Sequence, residues 1–417
     1  MDTETLSTAF DFTAAAKRLR GITHITQLQY NVGLSRRYSC NVFLKREDLQ
    51  VVRSYKLRGA YNMMSSLPQE KLQKGLVCAS AGNHAQGFAF SCQALNVRGV
   101  IFMPSITPRQ KIDQTKMFGG GNIEIILTGD TYDDCATAAQ KYTEEHDMVF
   151  VHPFNDFRVI EGQGTVGVEI MEALPETDFI ILPIGGGGLC AGVGTYIKSV
   201  KPEVKIIGCE PEGAPSMTRA LEVGHPVRLG KIDKFVDGAA VQCVGNITFD
   251  ICRNVLDKML LVPEGCICTS ILQLYNRDAI VAEPAGALSI AALAFMGDEI
   301  KGKNVVCVVS GSNNDIDRMQ EIKERSLQYE GLKHYFLINF AQRPGALKEF
   351  VNEVLGPQDD ITRFEYMQKT NKDAGPALVG IELTNREDYQ GLVNRMLEHG
   401  VQYTELNKND TLFSYLV

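Results

Sequence analysis

Nineteen consecutive residues, Phe179 to Ile197, carry no charge. A run of that length could cross a bilayer as a helix. It contains Pro183, however, and the unbroken series Gly185-Gly186-Gly187-Gly188. Four adjacent glycines would break a lipid-spanning helix, whose backbone must satisfy its hydrogen bonds internally. The stretch therefore reads as a buried strand, a glycine loop and the first turns of a helix. A chain built on that hand-over belongs among open α/β folds rather than membrane spans.

The same cadence recurs from about Ala79 to Ser312: a short apolar run, a glycine-bearing turn, a helix-like segment. The expected strands are Leu76–Ala79, Gly99–Met103, Ile123–Leu127, Phe179–Pro183, Ile206–Glu210 and Val305–Ser310. They are apolar on both sides of the strand period, as in a parallel sheet covered on both faces. Helix-sized pieces such as Gly82–Leu95 and Thr131–His146 lie between them. Ligands of such folds sit at the carboxyl ends of the strands, in the loops that enter the helices.

Composition narrows the class. The chain has 417 residues, 44% hydrophobic and 22% charged, which is ordinary globular usage and excludes disorder as the main state. The net charge of −8 argues against a nucleic-acid or anionic-membrane partner, which needs a basic face. Eleven cysteines, an odd number with no Cys-x-x-Cys pair, predict reduced core residues rather than a secreted disulfide framework. Met1-Asp2-Thr3-Glu4 is acidic and lacks an apolar signal core, so a cytoplasmic enzyme is expected.

The character changes after Asp315. Asp317–Lys333 is charged and helix-forming, a connector. Next come a strand at His334–Phe340, a helix at Pro344–Leu355 with proline at its start, and strands at Ile361–Lys369 and Ala377–Leu383. A helix at Arg386–His399, stopped by Gly400, and a strand at Val401–Leu406 complete the unit. The order βαββαβ is ferredoxin-like.

Five places can carry chemistry. Lys56 lies between Arg53 and Arg58, cations that would lower its amine pKa and favour the neutral nucleophile. Ser80-Ala81-Gly82-Asn83-His84-Ala85-Gln86-Gly87 follows a strand and opens a helix; it is a capping turn, with Ser80 or Asn83 as cap, or an anion-binding loop. Gly185 to Leu189 can wrap a phosphate in backbone N–H groups. Gly186-x-Gly188-x-x-Ala191 with Glu210 downstream also satisfies a relaxed dinucleotide fingerprint, which keeps NAD open at this point. Ser310-Gly311-Ser312-Asn313-Asn314 is a turn or a ligand contact. Glu283, in Ala282-Glu283-Pro284-Ala285-Gly286-Ala287, is a helix-entry residue or a site carboxylate.

Their joint order decides. Ser54-Tyr55-Lys56-Leu57-Arg58-Gly59-Ala60, the Asn83 loop, the tetraglycine and Ser310-Gly311-Ser312-Asn313 together resemble the pyridoxal-phosphate enzymes of the tryptophan-synthase β type. Among these the chain is similar to the biosynthetic threonine dehydratases. Gln342-Arg343-Pro344-Gly345-Ala346-Leu347, Asp360–Tyr366 and Gly375–Gly380 resemble that family's ACT-like regulatory domain, present once, as in its short form. The implied division is a catalytic domain at 1–325 with a smaller subdomain near 52–150, a connector at 326–333 and a regulatory domain at 334–417. The implied fold is two open α/β subdomains followed by the ferredoxin-like unit.

The resemblance further implies that Lys56 is linked to the aldehyde of pyridoxal 5′-phosphate. Gly185, Gly186, Gly187, Gly188 and Leu189 would hold the phosphate, Asn83 the ring hydroxyl and Ser310 the pyridine nitrogen. The substrate carboxylate would lie on Ser80, Ala81, Gly82, Asn83 and His84. The NAD reading then loses, because hydride transfer has no use for Lys56 and the Asn83 loop in this order. The implied reaction is dehydration and deamination of L-threonine to 2-oxobutanoate and ammonia, at the head of isoleucine synthesis. Isoleucine is the implied inhibitor and valine an opposing effector, in a homodimer or homotetramer. A serine-specific β-elimination or β-replacement enzyme is the alternative, and a non-catalytic amino-acid sensor a more distant one. No metal is expected. Relatives that bind a divalent cation have carboxylates around Cys209–Ser216, and Ser216 stands where one would help.

Ala81 gives a first testable expectation. In serine racemase, a relative, the matching loop position is a serine that can deliver a proton to the opposite face of Cα. A methyl group cannot. Incubation with L-serine or L-threonine should therefore yield oxo acid without D-amino acid, as read by chiral chromatography. D-product formed at a rate near dehydration would overturn this.

Overall fold

The computed structural model describes residues 9–370 and 372–416. The expectation drawn from Met1–Glu4 lies outside them. The described residues divide between Asp315 and Ile316 into two compact units.

The first unit contains two sheets. The larger has, in spatial order, Leu28–Tyr30, Asn41–Arg46, Asn304–Val309, Phe179–Pro183, Lys205–Pro211 and Lys258–Val262. All neighbours are parallel except the first pair. The smaller is wholly parallel: Ile123–Leu127, Gly99–Met103, Leu76–Ala79 and Val149–Phe150. All six expected strands are present. Leu76–Ala79, Gly99–Met103 and Phe179–Pro183, all interior, are buried along their whole length, because helices cover both faces. Ten of the eleven cysteines are buried.

Four strands were not foreseen: Leu28–Tyr30, Asn41–Arg46, Val149–Phe150 and Lys258–Val262. Asn41–Arg46 shows why. It ends in Lys45 and Arg46, which read as surface charge but are buried on ion pairs.

One such cluster fixes the helix that begins with Lys56 (Lys56–Ser65). Arg58 is 1% exposed and Glu47 fully buried. The guanidinium donates to Glu47 through Nε (2.7 Å) and Nη2 (2.8 Å), and to Glu169 through Nη1 (2.6 Å) and Nη2 (2.9 Å). Lys45 adds a second cation, donating to Glu169 and to the Thr26 carbonyl. Burial alone would raise the Glu47 pKa; Arg58 and Lys45 outweigh it and hold the carboxyl below its ordinary value. The network ties the Lys56 helix to the end of strand Asn41–Arg46 and to helix Phe157–Ala173. Those two helices meet glycine to glycine: a Cβ on Gly162 would lie 2.5 Å from the Arg58 carbonyl, and one on Gly59 would strike Gln163.

The second unit is one antiparallel sheet in the order Asp360–Tyr366, Ala374–Glu382, Lys333–Ala341, Gln402–Glu405. Phe350 and Val354 of one helical segment and Leu392 and Met396 of helix Asp388–Glu398 pack on its one face. The opposite face carries Tyr335, Leu378 and Leu406, packed with Leu412 and Phe413. The βαββαβ order is as expected, with two differences. The first helix starts at Ala346, not Pro344, because Gly345 adopts a left-handed φ of 86° that no helix accommodates; it then continues as a π-helix over Phe350–Val354. A last helix, Asp410–Leu416, was not foreseen.

Replacing Arg58 by Met should leave two buried carboxylates facing Lys45 alone, at a cost of ~3–5 kcal/mol. The measurement is the urea midpoint. Arg58→Lys should recover only part, since an ammonium cannot fork between two carboxylates. A Met variant as stable as the parent would remove this network from the framework of the fold.

Candidate active site

Lys56 is the first residue of its helix. Its Nζ donates to the Pro153 carbonyl at 3.2 Å and lies 5.3 Å from the Tyr55 ring centre. The residue keeps some exposed surface, yet desolvation draws its amine down to about 8, against the opposing pull of the Glu283 carboxylate. The expected direction holds, but its cause differs from the sequence reading. Arg58 is engaged by Glu47 and Glu169, and burial rather than a neighbouring cation lowers the pKa.

Segments far apart in sequence converge here. The Asn83 helix (Asn83–Leu95) abuts the Lys56 helix, where a Cβ on Gly87 would stand 3.0 Å from the Leu57 nitrogen. The Asn83 amide donates to Glu283 at 2.6 Å and its oxygen accepts from Asn313, whose Nδ2 also donates to the Val52 carbonyl. An amide NH₂ has two donors, so the second N–H of Asn83 remains for a ligand. Ser310 is buried; its hydroxyl donates to the Ala285 carbonyl at 3.2 Å, and its own carbonyl accepts from the Tyr55 N–H. Among the described residues, the buried Ser54 Oγ and Asn313 Oδ1 have no hydrogen-bond partner.

The Ser80–His84 loop divides. The cap of its helix is Gly82, and neither Ser80 nor Asn83 fills that place. Ser80 Oγ instead accepts from the Gly82 N–H at 3.2 Å. A Cβ on Gly82 would meet nothing within 4 Å, so that side of the loop is open. Ala81 packs partly into the small-sheet core. His84 is buried, donating from Nε2 to the Val151 carbonyl at 2.9 Å, and burial followed by the Lys56 charge drops its pKa to about 3. It is neutral and braces the Val151 backbone.

The tetraglycine enters helix Gly188–Val200 through Gly187, whose φ of 92° makes it the cap. The loop is crowded: a Cβ on Gly186 would fall 2.3 Å from the Phe154 ring, and one on Gly188 or Gly185 would stand 3.0 Å from Phe154 or the Ala239 backbone. Thr248 anchors the Gly186 carbonyl at 2.6 Å. With its carbonyls held, the loop presents the unpartnered amides of a helix N-terminus, a donor set suited to a phosphate dianion. Leu189 gives its side chain to the core, so only its backbone can serve such a ligand.

The segment His152–Asn155 went unnoticed in the sequence, although it joins Lys56 to the glycine loop. Pro153 meets the Lys56 amine and Phe154 covers the glycines. His152 Nδ1 accepts from the amides of Phe154 and Asn155. Burial and then the Lys56 charge bring its pKa to about 4, so it stays a neutral acceptor. Its place just after a strand was the available signal.

Glu283 is the helix-entry residue the sequence allowed: it precedes helix Pro284–Ala291 as its cap, and its 4%-exposed carboxyl also bonds Asn83. Burial, then Asp237, raises it to about 7. Glu210, the acidic residue of the dinucleotide reading, is fully occupied. It accepts from the amides of Met217 (2.6 Å) and Thr218 (2.9 Å), and from the Thr218 and Ser216 hydroxyls, capping helix Ser216–Val223. It has no free face for a ribose.

Comparison with known proteins agrees with this geometry. Residues 20–311 match the pyridoxal-phosphate dependent enzyme family, and residues 324–416 the C-terminal regulatory domain of threonine dehydratase. The chain is 59% identical to the biosynthetic L-threonine dehydratase of Halalkalibacterium halodurans over 98% of each chain. It is 58% identical to that of Bacillus subtilis over 97% of this chain and 96% of the relative. Among solved structures, threonine deaminase isoform 2 of Solanum lycopersicum superposes with a TM-score of 0.75 at 41% identity, covering 78% of this chain and 89% of the other. Maize serine racemase gives 0.70 at 29% identity, covering 77% and 99%. The chain thus belongs to the pyridoxal-phosphate dependent enzymes and, within them, to the biosynthetic threonine dehydratases that carry a C-terminal regulatory domain.

Proposed function

We propose that this chain is a pyridoxal-phosphate dependent L-threonine ammonia-lyase, forming 2-oxobutanoate and ammonia for isoleucine synthesis. The observation that carries the reading is the meeting of a low-pKa lysine, Lys56, with the Asn83–Glu283 pair, Ser310 and the glycine loop. The site fits the cofactor. The amides of Gly185 to Leu189 would hold its phosphate, the free N–H of Asn83 its ring hydroxyl and the Ser310 hydroxyl its pyridine nitrogen. Lys56 would hold its aldehyde. When bound, pyridoxal phosphate supplies the electron sink that makes a substrate Cα proton removable.

The chain's own groups do the rest. Lys56 Nζ, neutral for a useful fraction of the time, accepts the Cα proton. A pKa near 8 leaves about a quarter of the amine neutral at pH 7.5; the ordinary 10.5 would leave about a thousandth. The open side of Ser80–Asn83 receives the substrate carboxylate on backbone N–H groups. Ser310 offers a neutral hydroxyl where an aspartate would hold the ring nitrogen protonated. The shallower sink suits a substrate whose β-hydroxyl leaves promptly, and so favours elimination over transamination. We assign the second unit to feedback inhibition by isoleucine, with valine opposing, in a cytoplasmic homo-oligomer.

Oxo-acid formation from L-threonine, with and without isoleucine, tests the whole reading. Suppressible turnover is expected. Turnover indifferent to isoleucine would remove the regulatory assignment. No turnover in cofactor-loaded protein would redirect the assignment to another β-elimination or β-replacement substrate such as serine. Lys56→Ala should lose at least ~10²-fold in kcat, the low end for a positioned proton-transfer group. In cofactor-stripped protein, uptake of pyridoxal phosphate followed by absorbance should quicken with pH and level off above about 8. Glu283→Gln should move that midpoint to lower pH, because the carboxylate holds the Lys56 pKa up. A midpoint near 10.5 would mean that the amine is not desolvated.

A further inference from the structure

Helix Arg109–Gly119 follows strand Gly99–Met103 and packs Ile112 and Phe118 into the small-sheet core. Its Lys111 donates through Nζ to Asp237 at 2.7 Å. Asp237 belongs to the other half of the catalytic unit, in the stretch of chain between strands Lys205–Pro211 and Lys258–Val262 of the large sheet. The pair therefore ties one half to the other. With its side chains 26% and 41% exposed, it adds little to stability. Its surroundings give it another use. Asp237 stands in a tight turn, in which the amides of Ala239 and Ala240 both donate to the Val236 carbonyl at 2.8 Å. Phe235 and Val236 anchor the turn in the core. The two residues after Asp237 abut the site. A Cβ on Gly238 would stand 2.8 Å from the Ala285 Cβ and 3.4 Å from Glu283 Oε1, and one on Gly185 would stand 3.0 Å from the Ala239 Cα.

Glu283 is where charge from this turn is felt. Its carboxyl accepts from Asn83 at 2.6 Å, and a Cβ on Gly311 would fall 2.4 Å from its Oε1, so it is closely enclosed. Lys56 and Tyr55 act on it from the Lys56 helix, Asp237 from the turn and Lys111 from helix Arg109–Gly119. The Asn83 helix meets it with a neutral amide, and Asn313 with a backbone N–H. Burial does most to raise its pKa and Asp237 adds to that; the Asn83 bond and Lys111 oppose them. The ion pair thus presents Glu283 with one charge of each sign, acting in opposite directions. A second pair, Arg228 with Asp133, joins the same two halves from helix Tyr132–Glu145 and provides a contrast.

We propose that Lys111 and Asp237 are positioning residues for the site: their ion pair holds the turn at 236–240 against Glu283 and the glycine loop, and their two charges together govern the Glu283 carboxyl and, through it, the Asn83 amide and the Lys56 amine. This deepens the lyase reading and rests on it for the roles of Asn83 and Lys56. A pair that only braced the fold would give the same change on loss of either partner. Here the two losses differ in sign. Without Lys111 the carboxyl faces Asp237 alone and ionises less readily; without Asp237 it faces Lys111 and ionises more readily.

The test is the infrared spectrum of the full-length holoenzyme against pH, with that of Glu283→Gln subtracted, so that the remaining protonated-carboxyl band belongs to Glu283. In the parent its loss should centre at about pH 7. Lys111→Met should move the midpoint up and Asp237→Asn down, each by at least about 0.3 pH unit, a roughly twofold change in the ionised-to-neutral ratio for charges partly screened by solvent. Lys111→Arg should restore the parental midpoint, and Arg228→Met should leave it within about 0.1 pH unit. In kcat/KM for L-threonine the limb nearest pH 7 should move in the same two directions, and neither substitution should alter the profile in a Glu283→Gln background. Cofactor absorbance and the unfolding temperature show which variants are folded. If Lys111→Met or Asp237→Asn is not, Lys111→Gln and Asp237→Ala carry the same comparison. Midpoint shifts of one sign in both folded variants, no shift in either, or an equal shift in Arg228→Met would overturn the proposal. The infrared midpoints do not depend on turnover, so opposed midpoints in protein inactive on L-threonine would overturn the lyase reading and leave the control of Glu283 standing.

Discussion

The Arg58 guanidinium sits between two carboxylates in a space with almost no water, and the catalytic unit is arranged around it. The helix carries Lys56 at its first residue and Arg58 two residues on. Holding Arg58 from below by Glu47 and from the side by Glu169 therefore fixes where Lys56 can point. Such a cluster is poor value as stability alone, since well-packed apolar residues often do as well. Its fork geometry gives direction, which an apolar contact cannot. The glycine contacts between Gly59 and Gly162 act in the same sense: they bring two helices close enough that the helix has no room to roll.

Within that frame the Lys56 amine is tuned chiefly by removal of water. The two nearby histidines follow from the same cause. His84 and His152 are driven to pKa values of about 3 and 4, first by burial and then by the Lys56 charge. Each contributes as a fixed neutral group bonded to backbone, His84 to Val151 and His152 to the amides of Phe154 and Asn155. Glu283 pulls the other way on Lys56. Its proton, lost near pH 7, adjusts both the Asn83 hydrogen bond and the charge balance at Lys56.

How much of this was legible in the sequence depends on the kind of signal. Parallel strands buried on both faces announce themselves as short apolar runs, and all six were placed within a residue or two. Asn41–Arg46 hid because Lys45 and Arg46 look solvated until their partners, Glu169 and Asp48, are known to lie beside them. Asp48 lies only two residues past Arg46, but no local pattern encodes Glu169, which is 124 residues from Lys45. The same limit misassigned the cause of the Lys56 shift: Arg58 is adjacent in sequence but faces the other side of its helix. The glycine loop and the Asn83 turn were readable as loops leading into helices because that signal is local. His152–Asn155 was not, because its importance comes only from standing between two such loops. In the regulatory unit the βαββαβ order was plain, while Gly345 was underweighted against Pro344: proline permits a helix start, but a left-handed glycine forbids one.

The choice of a serine at position 310 fits the rest of the site. A carboxylate there would add a third negative group beside Glu283, which already feels Asp237. Crowding of that kind would raise the Glu283 pKa further and, through it, change the charge felt by Lys56. A hydroxyl bonded to the Ala285 carbonyl adds no charge and leaves the Lys56–Glu283 balance intact. In the proposed reaction the electron sink and the proton acceptor would thus be set by the same choice of a neutral group. A site so arranged favours a substrate that expels its own leaving group.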